Sequence, residues 1–296
     1  MAGEGLDLVG PANGPAGEEW LAELAAERRL TPKGRKLAEF IGANPRLASF
    51  ASASELAEKN GMNVATVVRF GQALGFSGWT EFQLHFRHRY LGTLLPAAVG
   101  RAHQRHAQPS SIRDALERDA ENLHAALATL DDETAEEVAR MVAEARKTLV
   151  VSSGSYAAVG DVFAHLATFM GHEVELESHG GPHLVARFAT LRPGDCVLAI
   201  SFWRLNKQVV KATQQARERG IATIAITDSR FSPLVRAAER SLIVPTESGS
   251  VFQSMTAALS LVYGLLARIH ELGGERAEQT LVETQRLYGE LDVLYA

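Results

Sequence analysis

Five short strand-like runs, TLVVSS, EVELES, DCVLAIS, IATIAIT and SLIVP, several of them continuously apolar, punctuate residues 148–245, with helical segments between them. Strands apolar on both faces must be covered on both sides. Their alternation with helices therefore restricts this half of the chain to a parallel sheet held between helical layers. The expected helices are 156–171, 183–190, 205–219 and 250–272, and a last amphipathic helix covers 275–295. In such sheets ligands bind beyond the carboxyl ends of the strands, where successive connections leave to opposite faces.

The amino-terminal part is different in kind. From Trp20 to Tyr90 the periodicity is helical throughout, with Leu37, Phe40 and Ile41 on one face of an early helix that Pro32 opens and Asn44-Pro45 closes. Ser52 and Glu55 have capping-box spacing and start a helix at Ala53. Small Ala57 and Gly61 fit a tight corner, with Gly61 at positive φ, and Asn63 caps the next helix. Leu56, Met62, Val67 and Phe70 form the wedge between the two helices, so Ser52–Gly75 reads as a helix-turn-helix. Asn63, Thr66 and Arg69 then fall on the outer face of its second helix, where their reach suits base edges in a major groove.

Charge supports that reading. The overall formal charge is −5, but residues 28–113 hold thirteen Lys and Arg against four acidic residues. Residues 1–27 hold six carboxylates and no Lys or Arg, and residues 114–296 carry a net −8. A basic module beside an acidic one fits a head that grips double-stranded DNA. Lys33, Arg35, Lys36, Lys59 and Ser52 are its candidate contacts to the sugar–phosphate backbone. Cys196 is the only cysteine; it sits in a strand-like run, so it reads as a core residue, with no disulfide framework and no thiolate metal site. No apolar run approaches a membrane span and no signal peptide opens the chain, so a soluble cytoplasmic protein is expected.

The expected organisation is a leader over 1–17, an all-α helix-turn-helix domain over 18–94, and a linker with a connecting helix over 95–130. An α/β domain with a parallel sheet flanked by helices follows over 131–275, and a carboxyl-terminal helix over 276–296. Residues 92–111 have the composition of a hinge. Two loops have the chemistry of a ligand site. Ser152-Ser153-Gly154-Ser155 joins the first strand to a helix, where backbone N–H groups and hydroxyls converge on an anion or simply cap the helix. Pro245-Thr246-Glu247-Ser248-Gly249-Ser250 precedes a large helix, and Thr246 and Glu247 are its candidate ligand contacts. Neither a GxxxxGK[ST] nor a GxGxxG nucleotide loop is present.

The segments LTPKGRKLAEFIGANP, SASELAEKNG and NVATVVRFGQALGFSGWTEFQ together resemble the amino-terminal domain of RpiR-type bacterial transcriptional regulators. The later alternating region resembles the sugar isomerase (SIS) domain of that family, a flavodoxin-like three-layer sandwich. The likeness spans about residues 18–275. It implies a homodimer or homotetramer whose head holds operator DNA and whose SIS domain senses a phosphosugar or a related small anionic effector without converting it. By this resemblance Ser155 matches the serine of the first phosphate loop, with Ser153 and Gly154 beside it, and Ser201 matches the first serine of the second. That second loop usually reads serine, any residue, serine, glycine, any residue, threonine. Here Trp203, Arg204 and Asn206 replace two hydroxyls and a glycine. Arg204 offers a guanidinium fork to an anion and Trp203 a surface for stacking.

An enzyme reading is the alternative. His179 and His183, in HGGPH, together with Glu247 contain the residue types of aldose–ketose isomerisation. A polar loop beside the pocket is the preferred reading of the two histidines, because nothing in the spacing fixes their mutual geometry, and an isomerase has no use for a basic head. No catalytic residue, cofactor or metal is therefore expected. His85, His88, His103 and His106 lack third and fourth ligands nearby and are expected to face solvent. A DNA-binding protein whose SIS domain only oligomerises is the remaining alternative.

Overall fold

The computed structural model describes residues 17–93, 111–248 and 252–293, and the chain divides into two compact units, within 1–111 and from Ile112 onward. The expected leader, most of the hinge, His103 and His106 lie outside the described residues, except that Gly17 already begins a helix and is buried.

The first unit is a helical bundle: α1 (Gly17–Ala26), α2 (Pro32–Ala43), α3 (Pro45–Phe50), α4 (Ala53–Lys59), α5 (Val64–Ala73) and α6 (Trp79–Thr93). Thr31 caps α2, its hydroxyl accepting from Gly34 N at 3.1 Å, with Pro32 in the first turn. Ser52 and Glu55 form the reciprocal capping box of α4, and Gly61 turns the corner at φ 61°. Asn63 caps α5 through Thr66 N at 2.9 Å. The sequence reading passed over α3, because Asn44-Pro45 marks a helix end and a helix beginning alike.

One side chain organises this bundle. Phe82 is fully buried, with Trp20, Phe70, Phe76, Trp79 and Phe86 around it at ring separations of 5.3–5.9 Å. His85, expected to face solvent, is buried in this cluster, its ring 5.4 Å from Phe76; α6 turns that face inward. Gly71 lets α5 press against the loop before α6. A methyl carbon there would sit against the Gly78 carbonyl, 2.5 Å from its carbon and 2.9 Å from Trp79 N.

The second unit runs α7 (Ile112–Thr129), α8 (Asp132–Glu144), β1 (Thr148–Val151), α9 (Ala157–Phe169), β2 (Val174–Glu177), α10 (Gly181–Ala189) and β3 (Cys196–Ile200). It continues with α11 (Lys207–Glu218), β4 (Ala222–Thr227), α12 (Pro233–Ala237), β5 (Arg240–Ile243) and α13 (Thr256–Glu290). The five strands are parallel, in the order β2-β1-β3-β4-β5. On one face Val138, Val142, Phe163, Val262 and Ile269 from α8, α9 and α13 pack on Val150, Leu198, Ile224 and Ile226. On the other, Leu184, Val209, Ala212 and Leu234 from α10, α11 and α12 pack on Leu149, Val151, Val197 and Ala225. Cys196 lies in this core and burial pushes its thiol up to about 12, which makes it inert. The two expected carboxyl-terminal helices abut at Gly274 (φ 50°, ψ −138°), and the first begins at Thr256 rather than near 250. Among the described residues no helix is long and apolar enough to cross a membrane.

Candidate functional site

In the first unit the outer face of α5 presents Asn63, Val64 and Arg69 to solvent, with Thr66 half-buried. The Asn63 side-chain oxygen accepts from both Thr66 N (2.9 Å) and Thr66 Oγ1 (2.7 Å). That pair is therefore committed to the cap through one oxygen, leaving the Asn63 amide N–H groups and the Thr66 lone pairs for a partner. Arg69, one turn on, is exposed and takes no part in the cap. Lys33, Arg35 and Lys36 are exposed on α2, which packs on α5, and Lys59 is exposed in the last turn of α4. Ser52 is exposed, and its capping role as an acceptor leaves its hydroxyl proton available. Val64, which sequence reasoning did not single out, lies 43 % exposed beside Asn63.

The second unit has its divergence point between β1 and β3, since α9 after β1 and α11 after β3 cover opposite faces. Beyond β1, Ser152 turns inward and its hydroxyl donates to Ile200 O at 2.9 Å, tying the first loop to the end of β3. Gly154–Tyr156 form a single 3₁₀ turn, with Gly154 at φ 59°, and the Ser153 hydroxyl does not cap it. Ser153 is half-buried, and Gly154 and Ser155 are exposed at the mouth of the loop.

Beyond β3 the chain takes an unusual course. Ser201 is fully buried and its Oγ has no hydrogen-bond partner. Trp203 adopts a left-handed φ of 47°, rare for a bulky residue, and its N–H donates to Asp228 Oδ2 at 2.9 Å. The Arg204 guanidinium lies over the Trp203 ring at 5.2 Å, and its Nε is buried without a partner. The Asn206 side-chain oxygen caps α11 by accepting from Gln208 N at 2.8 Å, a role that does not use its amide N–H groups. Phe202 is buried edge-on to Tyr156. Burial, and then the Asp228 carboxylate, hold the Tyr156 hydroxyl well above its ordinary range although Arg204 N–H donates to it, so it stays protonated.

Beyond β5, Thr246 is buried with its hydroxyl 3.2 Å from Gln253 Oε1 and 3.4 Å from Asp228 Oδ2. Asp228 thus links the loops after β3, β4 and β5. It was absent from the sequence reading, although a carboxylate directly after a buried strand (IAITD) is the available signal. Asn122 of α7, only 3 % exposed, donates to Glu247 O at 2.8 Å, and Asp119 accepts from Thr256 Oγ1 at 2.7 Å. α7 therefore holds the third loop at both ends. His179 and His183 are exposed with rings 5.2 Å apart; the buried Glu177 carboxylate anchors their loop by accepting from His179 N and Gly180 N. Among the described residues no group of three or more His, Cys, Asp or Glu is placed to hold a metal ion.

Comparison with known proteins matches both units. Residues 23–91 match the helix-turn-helix domain model of the rpiR family, and residues 141–268 match the SIS domain model. The sugar isomerase domain of an RpiR transcription factor from Sphaerobacter thermophilus is 32 % identical. That match covers 59 % of this chain and 97 % of that one, with a TM-score of 0.57. NanR of Vibrio vulnificus, solved with ManNAc-6P, shares the fold at 20 % identity and a TM-score of 0.59 over 92 % of this chain and 98 % of that one. With a head of the rpiR helix-turn-helix type and a SIS domain behind it, the chain belongs to the RpiR family.

Proposed function

We propose that this protein is a transcription regulator whose first unit holds operator DNA through α5. Its SIS unit senses a small anionic sugar derivative and thereby modulates that grip. The observation that carries the reading is the presence in one chain of a capped helix-turn-helix with a cationic surface and a SIS domain with unpartnered donors at its divergence point. The ManNAc-6P bound by NanR supports the ligand class. Sensing without conversion fits the loop that carries two of the three residues of the enzyme reading, since His179 and His183 are both exposed. In this reading Arg69 reads a base or a phosphate, Asn63 and Thr66 meet the groove edge, and Lys33, Arg35, Lys36, Lys59 and Ser52 contact phosphates. Ser153, Gly154, Ser155, Ser201, Trp203, Arg204, Asn206, Thr246 and Glu247 line the effector site. Ile112, Leu116 and Leu127 stand 65–85 % exposed along α7, which supports a second copy as partner. A homodimer then places two α5 helices in successive major grooves, about 34 Å apart, on a palindromic operator.

The test is an anisotropy titration of full-length protein on selected operator DNA. Arg69→Ala is expected to weaken binding by about 1–3 kcal/mol. Unchanged affinity and an unchanged salt slope would remove Arg69 from the interface.

A further inference from the structure

The first turn of α5 presents methyl groups where a groove reader is expected to present polar ones. At a helix step of about 100° per residue, Val64, Ala65, Val68, Arg69 and Gln72 share an arc of about 140° on one side of α5. Val64, Ala65, Arg69 and Gln72 are exposed, and Val68 is half-buried. At 43 % exposure, Val64 is the one large hydrophobic that stands exposed among the described side chains of the first unit. A lone surface valine needs no explanation by itself. This one is the first residue of the second helix of a helix-turn-helix, the end that meets base edges in such folds.

Packing does not account for Val64. The wedge between α4 and α5 is made by Leu56, Val67 and Phe70, each at most 3 % exposed, and Val64 lies outside it. Nor does a β-branched residue gain anything over alanine in helix propensity.

The polar groups around Val64 are committed. Both lone pairs of Asn63 Oδ1 are taken, by the Thr66 N–H at 2.9 Å and the Thr66 hydroxyl at 2.7 Å. The bidentate pairing by which an asparagine holds an adenine edge therefore cannot form without breaking the cap of α5. Gln72, the other amide on this side, donates through Nε2 to Ser77 O at 3.3 Å. The outward face is left with an arginine, which suits a guanine or a phosphate, and with the methyl groups of Val64 and Ala65. On the base edges of the major groove the apolar group is the thymine C5-methyl.

We propose that Val64 is a sequence-reading residue, which packs on the C5-methyl of one thymine in each operator half-site. A cytosine at that position loses the methyl contact and turns its N4 amino donor toward a side chain with no acceptor, so T·A is selected over C·G. The proposal rests on the regulator reading and adds to it a residue and the base that it selects.

The experiment is an anisotropy titration of the full-length protein on its selected operator, with each thymine in turn replaced by deoxyuridine in both half-sites. That replacement removes one methyl group and keeps every hydrogen-bonding group of the base. In the unmutated protein one thymine per half-site is expected to matter, its demethylation weakening binding about threefold or more per half-site, the size of one buried methyl group. With Val64→Ala, which leaves the cap of α5 intact, the thymine and deoxyuridine operators are expected to bind within about twofold of one another, at an unchanged melting temperature. Arg69→Ala is the control, expected to weaken both operators and keep their ratio. The proposal is overturned if no thymine shows methyl dependence in the unmutated protein, if the half-sites contain no thymine, or if the dependence survives Val64→Ala. Each of these results leaves the regulator reading standing, because the operator is bound. Recovery of no DNA at all removes that reading and the proposal with it.

Discussion

Replacing Gly71 by alanine sets two physical terms against each other. By helix propensity alone Gly71→Ala in α5 should gain about 1 kcal/mol. Against this, the new methyl carbon would lie 2.5 Å from the Gly78 carbonyl carbon and 2.9 Å from Trp79 N, both backbone atoms that no rotamer change can move. Restoring ordinary contact requires α5 to shift by roughly 1 Å relative to α6, and overpacking of this kind costs about 1–3 kcal/mol. The packing term offsets or outweighs the gain, so the net expectation is a loss of up to about 2 kcal/mol. Gly42→Ala is the internal control: its Cβ meets nothing within 4 Å, so only the propensity gain remains. Denaturant unfolding of full-length protein, followed by the fluorescence of the buried Trp20 and Trp79, reads the stability. Operator titration reads the displacement of α5, with an expected loss of tenfold or more for Gly71→Ala and little change for Gly42→Ala. If Gly71→Ala matches Gly42→Ala in stability and leaves DNA binding unchanged, the close approach of α5 to the loop before α6 is wrong.

Phe82→Ala should cost about 3–5 kcal/mol of head stability, since it empties the centre of a five-ring shell, and a melt of the full chain should show the first unit unfolding separately from the second. Asn122→Ala removes the donor that ties α7 to the third loop; effector affinity is expected to stay within about threefold while the effector's influence on operator binding falls. Glu136 takes both prongs of Arg268, at 2.6 and 2.8 Å, and hydrogen bonding from Arg268 holds its carboxyl below the ordinary glutamate value. Its contribution is therefore present above the unfolded-state pKa and fades as pH falls through the lower folded value. Glu136→Gln should accordingly flatten the decline in melting temperature between about pH 5 and pH 3, and an unaltered profile would deny the pair any part in that decline.

Much of the fold was legible because its signals are local. The Ser52–Glu55 capping box, the positive-φ turn at Gly61, the Asn63 cap and the buried strand runs each depend on residues close in sequence. What escaped depends on tertiary context. His85 looked solvent-facing by type, but the aromatic shell around Phe82 captures it. The capping role of Asn206 escaped because the helix was expected to begin at residue 205, whereas α11 begins at Lys207. Asp228 was invisible because its importance comes from three loops, after β3, β4 and β5, that only the parallel sheet brings together. The Trp203 backbone, likewise, is left-handed because a distant carboxylate takes its N–H.

Selection of genomic fragments by the purified full-length protein, followed by titration of the recovered DNA across a salt series, is the most direct trial of the regulator reading. The expected product is an inverted repeat whose half-sites lie about 10 base pairs apart, bound with an affinity that falls steeply with salt. Recovery of no fragment above background at low ionic strength, with sugar acids or phosphosugars present or absent, would contradict it.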